Sequence, residues 1–215
     1  KKRILQVGHL LLYHPAVRWL KREVTQGRLG RILYLYSQRL NLGVVRRDEN
    51  VVSSLATHDI SVALFLLNEF PDRVLCVGQS YLQKRIQDIA FAVLSFPSGA
   101  VAHFHMSWLD PHKTRSITIV GSRKMAVFDD MAAEEKLRIF DKGVEGAKYL
   151  TTGIELPPSA LSVRYGDIFA PQLSMEEPLK IELKEFVQSC LTRRRPVADG
   201  RNGVEVISVM DGLQR

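Results

Sequence analysis

Apolar and polar residues follow two spacings along this chain, and each spacing predicts one kind of element. Period-two alternation, with many β-branched and aromatic residues, predicts strands over 31–40, 73–82, 88–96, 100–108, 114–120, 125–129 and 137–140. Apolar residues three and four apart predict helices over 15–27, 54–68, 178–191 and from 199 onward. A short apolar strand over 4–7 precedes the first helix, and 141–172 is expected to be irregular.

The connections between the later strands are too short to contain crossover helices, so these strands are predicted to form an antiparallel meander. Residues 89–94 are apolar on both faces of their strand, which indicates that both faces of the sheet are covered. We therefore expect an α+β fold: a large, open, mostly antiparallel mixed sheet with helices on one face. The other face is expected to contact a second copy of the chain.

One strand and one helix cannot bury a core by themselves, whereas the remaining residues can. The strand and helix over 1–27 are therefore either the tail of a preceding α/β domain or a lead-in to the main domain, 28–215.

Charge and composition narrow the class of protein. The net charge is +7, but the basic residues are scattered and no nucleic-acid-binding motif accompanies them, so anionic small molecules explain the charge at least as well as nucleic acid does. No apolar run approaches the roughly 18 residues of a membrane span, and the two cysteines are far apart. A cytoplasmic protein without membrane attachment is expected.

Two ionisable residues lie on the apolar side of the 54–68 helix. On a helical wheel, His58 falls between Val62 and Phe65, and Asp59 falls beside Leu66. They are either paired core residues or part of a cleft. Proximity to the helix N-terminus would keep His58 neutral, and so able to act as a general base.

The preceding loop carries polar groups suited to a sugar or an anion. Asn41 and Asn50 offer amide donors and acceptors, and Arg46 and Arg47 could hold a phosphate or a carboxylate. The simpler interpretation is a solvated loop with an ion pair to a neighbouring acid. His103 and His105 share a strand face without a third ligand, so no metal site is expected.

Several short segments, in this order, resemble the glucose-fructose oxidoreductase / inositol dehydrogenase / MocA family and its nucleotide-sugar 3-dehydrogenase-like branch. The matching segments are Val7-Gly8-His9 with Pro15, 27–30, Arg39 with 41–43, 46–51, 55–56 with 58–61, Ser107-Trp108 with Pro111 and Lys113, 120–122 through 129–130, Pro178-Leu179 with Glu182, and Pro196 with Asp199-Gly200.

The resemblance implies a two-domain enzyme in which a Rossmann domain holds NAD or NADP and the second domain holds the sugar. It implies that 1–27 is the last strand and helix of the Rossmann domain and that 28–215 is the substrate-binding and oligomerisation domain. It implies that His58 lies beside the oxidised carbon and works with a lysine of a Glu-Lys-Pro motif that this sequence lacks. Ser54 stands where inositol dehydrogenase-like members carry an acid. Neither G-x-G-x-x-G nor a Walker sequence is present, so this chain alone is not expected to bind the cofactor tightly or to turn over.

The expected function is the substrate domain of an NAD(P)-dependent dehydrogenase acting on a hydroxyl of a sugar or nucleotide sugar, in a homo-oligomer. His58 and Asp59 are the expected catalytic residues, with Asp59 orienting His58. The expected substrate-binding residues are Arg39, Asn41, Arg46, Asn50 and Ser54. The alternative is a non-catalytic, dimerising sheet module with Arg46 and Arg47 as its anion site.

Overall fold

The computed structural model describes residues 3–43, 45–145, 162–174 and 176–214. A 3₁₀ turn (Leu10–Tyr13) precedes four helices: α1 Pro15–Thr25, α2 Val51–Leu67, α3 Pro178–Thr192 and α4 Gly200–Leu213. The strands are β1 Ile32–Leu40, β2 Arg73–Gln79, β3 Ile89–Ser95, β4 Val101–Ser107, β5 Thr114–Gly121, β6 Met125–Asp129, β7 Leu137–Phe140, β8 Gly143–Glu145, β9 Ser162–Arg164 and β10 Ile168–Phe169. None of the helices in the described ranges is long and apolar enough to cross a membrane.

Eight strands form one mixed sheet in the order β2-β3-β4-β1-β5-β6-β7-β10. β1 is parallel to β4 and every other pairing is antiparallel, which confirms the predicted fold class. The prediction of one simple meander was incomplete. Helix α2 carries the chain from β1 to the far edge of the sheet, so β4 returns beside β1 and β1 lies between two antiparallel meanders.

The two faces of the sheet differ in how they are covered. The inner face packs against α2 and includes the buried side chains of Leu35, Phe104 and Ile119. The outer face is apolar and open in the isolated chain. Its exposed side chains include Tyr34, Tyr36, Leu75, Val77 and Phe91.

The expected strand over 4–7 is wrong in extent. Only Gln6 pairs, through a single isolated bridge to Asp199. Asp199 is the N-cap of α4, so the segment over 4–7 lies against a helix terminus and not against another strand. The Val7 amide donates to the Ala198 carbonyl at 2.7 Å. The lead-in segment is therefore attached to α4 rather than to a sheet.

The turn after α1 lies directly against the β5–β6 hairpin. A Cβ atom at Gly121 would lie 2.1 Å from the Leu29 carbonyl oxygen, so only glycine permits this approach. This contact joins the lead-in helix to the sheet at the start of β1.

Helix α2 begins at Val51, three residues before the predicted start at Ser54. The Asn50 side chain accepts from the Ser53 amide at 3.0 Å and caps the helix. Within the region predicted to be irregular, β8 pairs with β9, and residues 146–161 lie outside the described ranges.

Candidate functional site

A cavity of about 510 Å³ opens where the end of β1, the first turns of α2 and the 3₁₀ turn meet. It brings together five of the residues predicted for the site: Arg39, Asn41, Arg46, Ser54 and His58. The other lining residues are Leu10, Leu11, His14, Leu40, Gly43, Leu55, Trp108, Arg115, Asp130 and Pro178. The cavity therefore combines apolar walls with several convergent polar groups, as small-molecule sites do.

His58 lies half-buried on α2, with its ring at the wall of the cavity. Its Nδ1 atom is buried and has no hydrogen-bond partner among the described residues, so Nε2 is the nitrogen that a ligand can reach. Burial lowers the pKa of His58 below its ordinary value of 6.5, and the charge of Arg39 lowers it further. A neutral imidazole at the wall of a cavity can accept a proton.

The expected cause of this neutrality was wrong. Because α2 starts at Val51, His58 lies two turns inside the helix, beyond the reach of the N-terminal dipole. Burial and the neighbouring arginine hold the imidazole neutral instead.

Asp59 lies behind the cavity wall and is paired with Arg39. Arg39 Nε and Nη2 donate to the two carboxylate oxygens at 2.9 and 3.0 Å, and the side chains are only 12% and 1% exposed. Both Asp59 oxygens accept from Arg39, and the described residues show no hydrogen bond between Asp59 and His58. Asp59 was expected to orient His58, but the structure places it against Arg39, whose charge acts on His58.

The loop before α2 supplies a more polar rim. The backbone amide of Asn41 donates to the Ser107 carbonyl at 3.1 Å. A Cβ at Gly43 would lie 2.6 Å from the side-chain nitrogen of Asn41, so a larger residue there would displace that side-chain amide. Arg46 pairs with Glu49 at 2.8 Å. Asn50, which was expected to bind substrate, caps α2 and donates to Gln87, and it does not line the cavity.

Three ionisable lining residues were not predicted: His14, Arg115 and Asp130. His14 Nδ1 accepts from the Ala16 amide and caps α1, while His14 Nε2 lies 3.8 Å from Asp130. The cap could have been found from the sequence, since Pro15 marks a helix start and His14 precedes it. Arg115 lies in β5 and Asp130 directly follows β6, and only the strand order brings them to this cavity.

His103 and His105 are on the outer face of the sheet, away from the cavity, and both stack on Phe91. Across the described part of the chain, no group of three or more His, Cys, Asp or Glu side chains is arranged to hold a metal ion.

Comparison with known proteins gives consistent matches. Residues 17–127 match the GFO/IDH/MocA C-terminal domain. UDP-N-acetylglucosamine 3-dehydrogenase from Acidithiobacillus ferrooxidans is 25% identical over 206 residues, which cover 95% of this chain and 59% of that protein. The chain thus spans less than two thirds of the length of this relative.

Solved structures show the same fold. One crystal form of the Acidithiobacillus ferrooxidans enzyme superposes with a TM-score of 0.78 at 22% identity, covering 98% of this chain and 60% of the other. An inositol dehydrogenase homolog from Azotobacter vinelandii, complexed with NADH and myo-inositol, gives a TM-score of 0.69 at 16% identity, with coverages of 98% and 61%.

Proposed function

Because the chain belongs to the GFO/IDH/MocA family through its C-terminal domain, we propose that it is the substrate-binding part of a nicotinamide-dependent dehydrogenase that oxidises a hydroxyl group of a sugar or nucleotide sugar. The observation that carries this proposal is His58, a neutral imidazole at the wall of a polar cavity of about 510 Å³. The name of the UDP-N-acetylglucosamine 3-dehydrogenase relative supports the substrate class.

The residues of this chain fit the sugar side of such a site. Asn41 offers an amide group and Ser54 a hydroxyl group to a sugar, and Trp108 forms an apolar wall. NAD or NADP, when bound, supplies the acceptor for the hydride that leaves the sugar carbon. The sequence has no G-x-G-x-x-G motif, so a preceding Rossmann domain is proposed to hold most of the cofactor, with 1–27 as its last strand and helix and 28–215 as the substrate domain.

An exposed apolar stripe on α3 supports the proposal that protein outside this chain covers this helix in the whole enzyme. Leu179, Leu183, Val187 and Leu191 are 48–73% exposed along one side of the helix. Soluble domains rarely expose a contiguous stripe of this kind, and the relatives are longer than this chain.

In the proposed reaction, His58 Nε2 takes the proton of the substrate hydroxyl. The imidazolium formed would be disfavoured by burial, by the charge of Arg39 and by the absence of a described acceptor at Nδ1. His58 is therefore suited to relaying the proton rather than retaining it. Asp59 holds the Arg39 guanidinium in place beside this imidazole.

The outer face of the sheet is proposed as the contact between copies of the chain. Tyr34, Leu75, Val77 and Phe91 are 41–63% exposed there, and no described helix covers them. An antiparallel sheet with one apolar face in water is unfavourable, so a second copy is the expected cover.

The test is turnover by the whole protein that contains this chain. UDP-N-acetylglucosamine, glucose and myo-inositol are supplied in turn with NAD and then with NADP, and formation of the reduced cofactor is followed by its absorbance. The proposal expects reduction with at least one sugar or nucleotide sugar. No reduction with any of these, or with a wider panel of hexoses and nucleotide sugars, would contradict it.

A further inference from the structure

Three arginines line the cavity, and they differ in how their charges are balanced. Arg39 is held by two hydrogen bonds to Asp59, and Arg46 is paired with Glu49 at 2.8 Å. Each of these two guanidinium groups has its own carboxylate. Arg115 lines the same cavity with its side chain 44% exposed, and its contact with a carboxylate oxygen of Asp130 is 4.0 Å long.

That one carboxylate is shared. Lys136 Nζ lies 3.7 Å from the other oxygen of Asp130, and His14 Nε2 lies 3.8 Å from it. His14 is neutral at pH 7, because burial lowers its pKa and outweighs the opposite effect of Asp130. Arg115 and Lys136 together carry two positive charges against the single charge of Asp130. Among the described residues, Arg115 therefore shares its ion-pair partner, and its charge is less fully balanced than the charges of Arg39 and Arg46.

The position of Arg115 in the sheet adds a second, independent observation. Arg115 is the direct antiparallel partner of Arg39, so two guanidinium-bearing side chains project from the same face of neighbouring strands. Like charges directly opposite each other destabilise a sheet. Natural proteins retain such unfavourable pairs mainly where function requires them, and an anion bound beside Arg115 would offset the repulsion.

We infer that Arg115 is the anion-binding residue of the cavity and that the substrate is a sugar bearing a carboxylate or a phosphate ester. This inference rests on the proposed function and adds the charge of the substrate. It also moves the anion site from Arg46, which the sequence favoured, because Arg46 already has its own carboxylate partner.

A guanidinium group suits both sources of negative charge, since its parallel N–H groups match the two oxygens of a carboxylate or of a phosphate. An anion at Arg115 would also stand near the reactive imidazole, because Arg115 is one of the charges that lower the pKa of His58. Binding of the correct substrate would then raise the proton affinity of His58 when the hydroxyl proton must be accepted.

The experiment compares dissociation constants of glucose, glucuronate and glucose 1-phosphate, measured by isothermal titration on the whole protein with saturating cofactor. Wild type is compared with Arg115→Gln and with Arg194→Gln. The second variant removes the same charge from an exposed residue after α3 that does not line the cavity. Circular dichroism confirms that each variant is folded.

In wild type and in Arg194→Gln, at least one anionic sugar should bind about tenfold more tightly than glucose, the effect of one hydrogen bond to a charged group. In Arg115→Gln the ratio should fall close to one. A preference for glucuronate alone identifies the carboxylate, and a preference for glucose 1-phosphate alone identifies the phosphate ester.

Equal binding of the neutral and the anionic sugars in wild type, or a preference that survives in Arg115→Gln, would overturn the inference and leave the proposed function standing. Absence of binding by all three sugars would also overturn the inference, whereas the proposed function fails only if the whole protein reduces no cofactor with hexoses or nucleotide sugars.

Discussion

The ion pair between Arg39 and Asp59 is the contact on which the shape of the cavity wall depends most, and Asp59→Asn tests it. The substitution keeps the size of the side chain and removes its charge. Arg39 would then remain largely buried at the cavity wall without its counter-ion, because its two hydrogen bonds at 2.9 and 3.0 Å both go to Asp59.

The magnitude follows from the burial of the pair. The two side chains are 12% and 1% exposed, so water cannot replace the lost carboxylate. Removing one partner of a buried pair costs about 3–5 kcal/mol of unfolding free energy. For a chain of this size, that corresponds to a fall of roughly 6–20 °C in the melting temperature.

The assay is urea unfolding of the wild type and of two variants, followed by circular dichroism. Glu49→Gln is the matched control, because it removes a carboxylate from the exposed Arg46–Glu49 pair at the rim of the same cavity. Exposed pairs contribute about 0–1 kcal/mol, so this control should be nearly as stable as wild type. If Asp59→Asn were no less stable than Glu49→Gln, the description of Arg39 as a buried, charge-paired residue would be refuted.

Three further predictions concern pH, assembly and packing. Burial lowers the pKa values of His14 and His58 below the ordinary 6.5. Below that pH the unfolded chain therefore binds more protons than the folded chain, and the free energy of unfolding should fall as the pH drops. Equal unfolding free energies at neutral pH and at about pH 5.5 would contradict this. Val77→Lys on the outer face should shift the sedimentation coefficient toward that of a monomer, and an unchanged coefficient would argue against assembly through this face. Gly121→Ala should destabilise the fold by about 1–3 kcal/mol, because the added Cβ would contact the Leu29 carbonyl. Gly8→Ala should not, because its Cβ would meet its nearest atom at 3.8 Å. Similar melting temperatures for the two variants would refute the packing at Gly121.

Local pattern was enough to predict most of the elements of the fold. The strand over 100–108 was found because period-two alternation depends only on neighbouring residues, and the strand over 88–96 because a short continuous apolar run does too. The central position of β1 was not predicted, since no local pattern states which strands pair once a helix crosses the sheet. The early start of α2 could have been found, because Asn50 is a favourable cap and apolar residues follow it at once.

The candidate site was predicted on one side only. His58 and the loop residue Asn41 are close in sequence, and the family resemblance drew attention to both. Arg115 and Asp130 reach the cavity through the register between β1 and β5 and between β5 and β6, which depends on long-range pairing. Which arginine keeps an unbalanced charge depends on individual ion pairs, and side-chain contacts of that kind are not encoded in residue spacing.

The assignment of His58 as the acceptor of the hydroxyl proton is tested by the single-turnover rate of cofactor reduction, measured on the whole protein. His58→Asn is compared with His112→Asn, the same substitution at an exposed loop residue outside the cavity. The rate of His58→Asn should be about 10²- to 10⁴-fold below that of wild type, the usual contribution of a general base, and the rate of His112→Asn should be unchanged. A His58→Asn rate within about twofold of wild type would contradict the assigned role, because loss of a general base has a far larger effect.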